Sequence, residues 1–128
     1  MHIPPISYGN HNPSMVPYCQ GMTSLEVRAE TLDRVCQTAG VARIDLLKAD
    51  VEGAELAILK GAEAIVRAGM VRAVLCEFNP TCVQDAGSSI AELEAWFSAH
   101  GFTCAHRFPS RWEPVANRLF VYRGNRAN

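Results

Sequence analysis

The chain has 128 residues and a formal net charge of −1 from 12 basic and 13 acidic side chains; 48% of its residues are hydrophobic and 20% charged. This is the composition of one globular domain. It offers no basic face for nucleic acid, and no apolar run approaches the ~20 residues of a membrane span. The cysteines are Cys19, Cys36, Cys76, Cys82 and Cys104, with no C-x-x-C pair among them. A zinc knuckle or redox pair is therefore not expected, and a reducing, cytoplasmic setting is. No basic start followed by an apolar stretch marks a secretory leader.

Residues 1–25 carry no Asp, Glu, Lys or Arg and include Pro4, Pro5, Pro13 and Pro17. Without a helical or strand period, this stretch is expected to be an irregular arm, with one domain over 26–128. Leu25–Val27 reads as a short extended piece. Thr31 can cap a helix running to Ala39, with Leu32, Val35, Cys36 and Ala39 on one face and Gly40 as its stop. Ile44–Asp50 reads as a strand. Glu52–Ala68 reads as one helix, since Ile58, Leu59, Ala62, Ile65 and Val66 form a stripe at helical spacing. Val71–Phe78 is a second apolar strand, broken by Asn79-Pro80. Ser89 and Glu92 form a capping box for a helix through His100, with Ile90, Leu93 and Phe97 inward. Phe102–Phe108 and Arg118–Arg123 are two further strands joined by the loop Pro109–Asn117.

Two apolar strands bracketing a helix imply a crossover and a parallel pair. The short last connection implies an antiparallel hairpin. The expected class is an open α/β sheet ending in that hairpin.

Open α/β sheets bind ligands beyond the carboxyl ends of their strands. Lys48, Asp50, Glu52 and Glu55 cluster after the first strong strand, and Glu77 ends the second. Parallel pairing brings Asp50 and Glu77 to one rim, and Glu52 and Glu55 are spaced to share a helix face. Such carboxylates can orient a hydroxyl, act as base, or hold a hard cation. The same residues also fit a plainer role. Acids complement a helix N-terminus, Asp50 can be an N-cap, and Lys48 can be a solvated strand end.

The wording of the segment adds to this. Thr31-Leu32-Asp33, Lys48-Ala49-Asp50-Val51-Glu52-Gly53-Ala54-Glu55, Leu59-Lys60-Gly61-Ala62 and Leu75-Cys76-Glu77-Phe78 closely resemble, in order and spacing, the FkbM-type methyltransferases. The resemblance runs from about residue 24 and weakens after Pro80. It implies a partial Rossmann-like class I methyltransferase fold and a methyltransferase that uses S-adenosylmethionine. It also implies transfer of the methyl to an oxygen of a small-molecule acceptor, such as a sugar or natural-product hydroxyl. On that template Ile44–Asp50 and Val71–Phe78 match the fourth and fifth strands, and the last two match the sixth and seventh. Asp50, Glu52, Glu77 and Lys48 are then the candidate catalytic residues, with Asp50 and Glu52 near the transferring methyl and Glu77 facing the acceptor.

One departure is large. No G-x-G occurs anywhere in the chain, so the family's Gly-rich cofactor turn has no counterpart, and no cofactor-binding residue is assigned. The chain is expected to be a truncated methyltransferase domain. The alternative is a non-catalytic remnant, or a module that associates with another chain. Ile44–Asp50 becomes an exposed edge strand, for which an added strand from the arm, self-association or poor solubility is expected. No partner of nucleic acid or membrane is expected, and no metal site is assigned. His100, Cys104 and His106 invite a zinc reading, but His100 also suits a helix end. Arg107, Arg111, Trp112, Arg118 and Arg123 read as solvated hairpin and loop residues, with an Arg stacked on Trp112, and an acidic-substrate or phosphosugar role is the alternative. Trp96 and Phe97 read as core.

Overall fold

The computed structural model describes residues 1–3, 21–112 and 114–124. Strands β1 (His2–Ile3) and β2 (Thr23–Ser24) pair antiparallel with each other. Helix α1 (Leu32–Ala39) follows, then β3 (Leu47–Ala49), α2 (Glu55–Lys60) and α3 (Glu63–Arg67). Next come β4 (Ala73–Phe78), α4 (Pro80–Asp85), α5 (Ile90–Ala99), β5 (Phe102–Pro109) and β6 (Ala116–Tyr122).

The main sheet has the order β3-β4-β6-β5. As expected, β3 and β4 are parallel and the terminal hairpin is antiparallel. The result is a mixed α/β fold with a four-stranded mixed sheet. Ile44 makes only an isolated parallel bridge to Val71, so the regular part of the first strand is shorter than Ile44–Asp50. No further strand flanks β3 among the described residues. None of the described helices is long and apolar enough to cross a membrane.

Strand alternation divides the sheet into two unlike faces. Ala49, Val74, Cys76, Phe78 and Phe120 point to one face and are buried. There Phe97 of α5 lies flat on Phe120 with ring centroids 3.7 Å apart, and Phe78 stacks on Phe120 at 5.7 Å. Leu56, Leu59, Ala62, Ile65 and Val66 complete this core, and Ile58 is only half-buried. On the opposite face Ala73, Leu75, Glu77, Asn117, Leu119 and Val121 are all partly exposed.

The caps read from the sequence hold. Thr31 Oγ1 accepts from Arg34 N and Gly40 closes α1 at φ 66°. Ser89 Oγ accepts from Glu92 N at the start of α5. The buried face of α1 is narrower than its apolar spacing, since only Cys36 is buried and Val35 is 46% exposed.

Three expectations change. The 52–68 segment is two helices, broken at Gly61–Ala62, because Asp33 of α1 supplies the second start. Its carboxylate accepts from Ala64 N and Ile65 N, both at 3.0 Å, which satisfies first-turn donors of α3. Asp33 N also donates to the Gly61 carbonyl at 2.9 Å. Asn79-Pro80 does end β4, yet it also begins α4: Asn79 Oδ1 accepts from Cys82 N, and Pro80 takes the first helical turn, where it costs no hydrogen bond. Finally, the two ends of the supposed arm pair with each other, and Met1 exchanges bonds with Leu25. Residues 4–20, and Cys19 with them, lie outside the described residues.

Candidate active site

The parallel pairing of β3 with β4 delivers Asp50 and Glu77 to the same rim, one residue past the Ala49–Cys76 register. Asp50, Glu52 and Glu77 can each turn one oxygen to within 4.8 Å of the others. Three carboxylates so placed could hold a hard divalent cation. Lys48 Nζ bonds Asp50 Oδ2 at 2.6 Å, and its ammonium is held above its usual range first by that bond and then by the nearby charge. Asp50 is thus a partner of Lys48 and not the N-cap of α2, a position occupied by Ala54 without a side-chain bond.

Glu77 is the most perturbed acid. Burial, followed by the charges of Asp50, Glu52 and Glu55, pushes its carboxyl up from 4.5 to about 7. Its Oε2 is shielded and has no hydrogen-bond partner among the described residues. A carboxyl poised near neutrality can take or give a proton at working pH.

Glu52 and Glu55 do not share a helix face. Glu52 lies before the helix at φ 53°, the one described non-glycine residue with positive φ. Glu55 is 1% exposed and turned back, its Oε1 accepting from Val51 N at 3.0 Å and Gly53 N at 3.3 Å. It is a strut for the loop. Gly53 has φ 103°, and a Cβ there would sit 2.2 Å from the Cys82 carbonyl of α4. Only glycine fits at that spot. Cys82 Sγ points to Glu52 Oε2 at 3.5 Å. Burial and that neighbouring charge push the Cys82 thiol up to about 12, and burial raises Cys76 as well, so neither serves as a thiolate nucleophile.

The weaker candidates disperse. His100 packs its ring on Trp96 at 4.2 Å, with Nδ1 at 2.8 Å from the Trp96 carbonyl. A bulge between Cys104 and His106 places them opposite Phe120 and Leu119, on different faces of the sheet despite their i, i+2 spacing. Arg118 lies over the Phe78 ring at 4.0 Å and pairs with Glu94 on the helix side of the sheet. Arg118 is therefore turned to the face opposite Glu77. Arg111 stacks on Trp112 at 5.1 Å. Reading the sequence alone misses Asn117, which pairs directly with Glu77 across β4 and β6. Only strand register reveals it.

Residues 8–104 match the family described as the methyltransferase FkbM domain. That is more than half of the chain, and the chain belongs to this family. No curated protein and no solved structure matches it.

Proposed function

We infer that this chain is a methyltransferase of FkbM type acting on a hydroxyl oxygen, with S-adenosylmethionine as methyl donor. The fold is read as part of the Rossmann-like class I arrangement, and the acceptor as a small molecule such as a sugar or natural product. The observation that carries this is the match to the methyltransferase FkbM domain, with Asp50, Glu52 and the partly buried Glu77 gathered at the strand-end rim.

The rim glycine, Gly53, is filled by the Cys82 carbonyl and leaves no space for a ligand. The donor's place is therefore assigned to no residue. When bound, it supplies an electrophilic methyl group. Glu77 accepts the proton of the acceptor hydroxyl. Asp50, fixed by Lys48, orients that hydroxyl, and Glu52 keeps negative charge near Glu77 so that its proton affinity stays high. The edge of β3, unpaired among the described residues and with Leu46 55% exposed beside it, is a surface for self-association.

The test is titration calorimetry with S-adenosylmethionine, followed by methyl transfer to hydroxyl acceptors by wild type and Glu77→Gln. Loss of a general base lowers turnover about 10²–10⁴-fold with the fold intact. Full activity in Glu77→Gln would refute the assignment. A strict Mg²⁺ requirement would instead give Asp50, Glu52 and Glu77 to a cation.

A further inference from the structure

The sheet face away from the helices changes character along its length. Toward the strand starts, its cross-strand rows are Ala73–Val121–Thr103 and Leu75–Leu119–His106. The row at the rim is Glu77–Asn117–Phe108. Two rows are built mainly of small and aliphatic residues. The third sets a carboxyl, an amide and an aromatic ring side by side.

Two observations in the rim row point to a ligand. Asn117 Oδ1, like Glu77 Oε2, is shielded and has no hydrogen-bond partner among the described residues. Leaving a shielded acceptor unpaired costs about 1–3 kcal/mol, and these two stand in directly opposed positions. Both side chains remain partly exposed. Phe108 is 45% exposed on the same face, with the His106 ring against it at 4.4 Å. An aromatic ring held open to solvent beside unpaired acceptors is a stacking surface, not core.

We propose that Asn117 and Phe108 are acceptor-binding residues, and that the row Glu77–Asn117–Phe108 selects a neutral ligand with two adjacent hydroxyls beside an apolar ring face. The assignment rests on the acceptor-rim reading given above. One hydroxyl donates to Glu77 and the neighbouring one to Asn117 Oδ1, while the C–H face lies on Phe108. Across two strand steps the row spans about 10 Å, which accommodates one ring with its substituents. The acids at the Asp50 end disfavour an anionic ligand.

The test is an NMR titration of the full chain with methyl pyranosides carrying vicinal hydroxyls, and with their monodeoxy analogues. The reporters are the Asn117 side-chain amide and transfer of saturation to the sugar C–H protons. Millimolar binding is expected, about tenfold weaker for the analogue lacking either hydroxyl of the pair. Asn117→Ala should abolish the discrimination between diol and analogue. Phe108→Ala should weaken all the sugars alike, and Phe108→Trp should restore them. Absence of any perturbation at the Asn117 amide, or binding indifferent to both alanine variants, would overturn the proposal. Methyl transfer is assayed separately. Sugar binding without turnover sinks the catalytic reading and leaves the row standing, whereas turnover on an acceptor without a diol sinks the row alone.

Discussion

Asp33 and Glu55 can be set beside Asp50 and Glu77. All four belong to the family-like segments of the sequence, and all four are acids near the ends of elements. Asp33 accepts two backbone N–H groups of α3, and Glu55 accepts two from the loop that precedes its own helix. Asp50 bonds only an exposed lysine, and Glu77 Oε2 bonds nothing among the described residues. The first pair is committed to holding backbone. The second pair keeps its lone pairs for a ligand or a proton. Acids in one motif thus serve two purposes, and what separates them is whether they accept from backbone N–H groups, since Glu55 Oε2 is as unpaired as Glu77 Oε2 among the described residues.

The contrast can be broken most severely at the loop that both pairs share. Gly53→Ala forces a Cβ into the Cys82 carbonyl at a φ of 103°. A loss of about 4 kcal/mol is expected, at the upper end for single substitutions, read as a drop in urea midpoint at unchanged slope. Glu55→Ala and Asp33→Ala each strand two backbone donors, with an expected loss of about 2–3 kcal/mol. Glu55→Ala should cost the more, because its site is buried. If either variant melts like the wild type while losing activity, the division into struts and working acids is wrong.

Glu77 sharpens the comparison through pH. Its folded carboxyl titrates higher than the ordinary value, so between about 4.5 and about 7 the folded state binds more protons than the unfolded one. Stability therefore falls as pH rises through that window. Glu77→Gln should remove this slope, as measured by thermal melts at a series of pH values. An unchanged slope would assign the effect to other groups. The smallest effect belongs to the Lys48–Asp50 pair, whose side chains are 59% and 33% exposed. Asp50→Asn should leave the melting temperature essentially unchanged, while methyl transfer falls sharply. A large loss of folding would return Asp50 to the structural class.

Much of this was legible because its causes are local. Thr31, Gly40 and Ser89 announce their helix ends within four residues, and the hairpin strands follow from their apolar runs. The rest depends on distant partners. The break at Gly61 is invisible in a stripe that keeps helical spacing straight through it, because Asp33 sits about 30 residues upstream of the donors it caps. The dual role of Asn79-Pro80 hides α4, since a strand terminator and a helix start use the same two residues. The bulge before His106 reverses the parity of the strand. Asn117 and Phe108 join Glu77 only through antiparallel register, which no single-strand pattern contains. That Asp50 and Glu77 share a rim is legible because parallel strand ends meet by topology alone.

The broken helix has a kinetic counterpart. Segments of six and five residues, as in α2 and α3, lie far below the length at which a helix persists alone in water. The start of α3 is completed by a side chain from α1, so neither helix reaches its final form before the other docks. Folding of this half must then pass through a long-range encounter and not through independent helices that later collide. Shortening the connection between α1 and β3 would change how fast the protein folds more than how stably it stays folded.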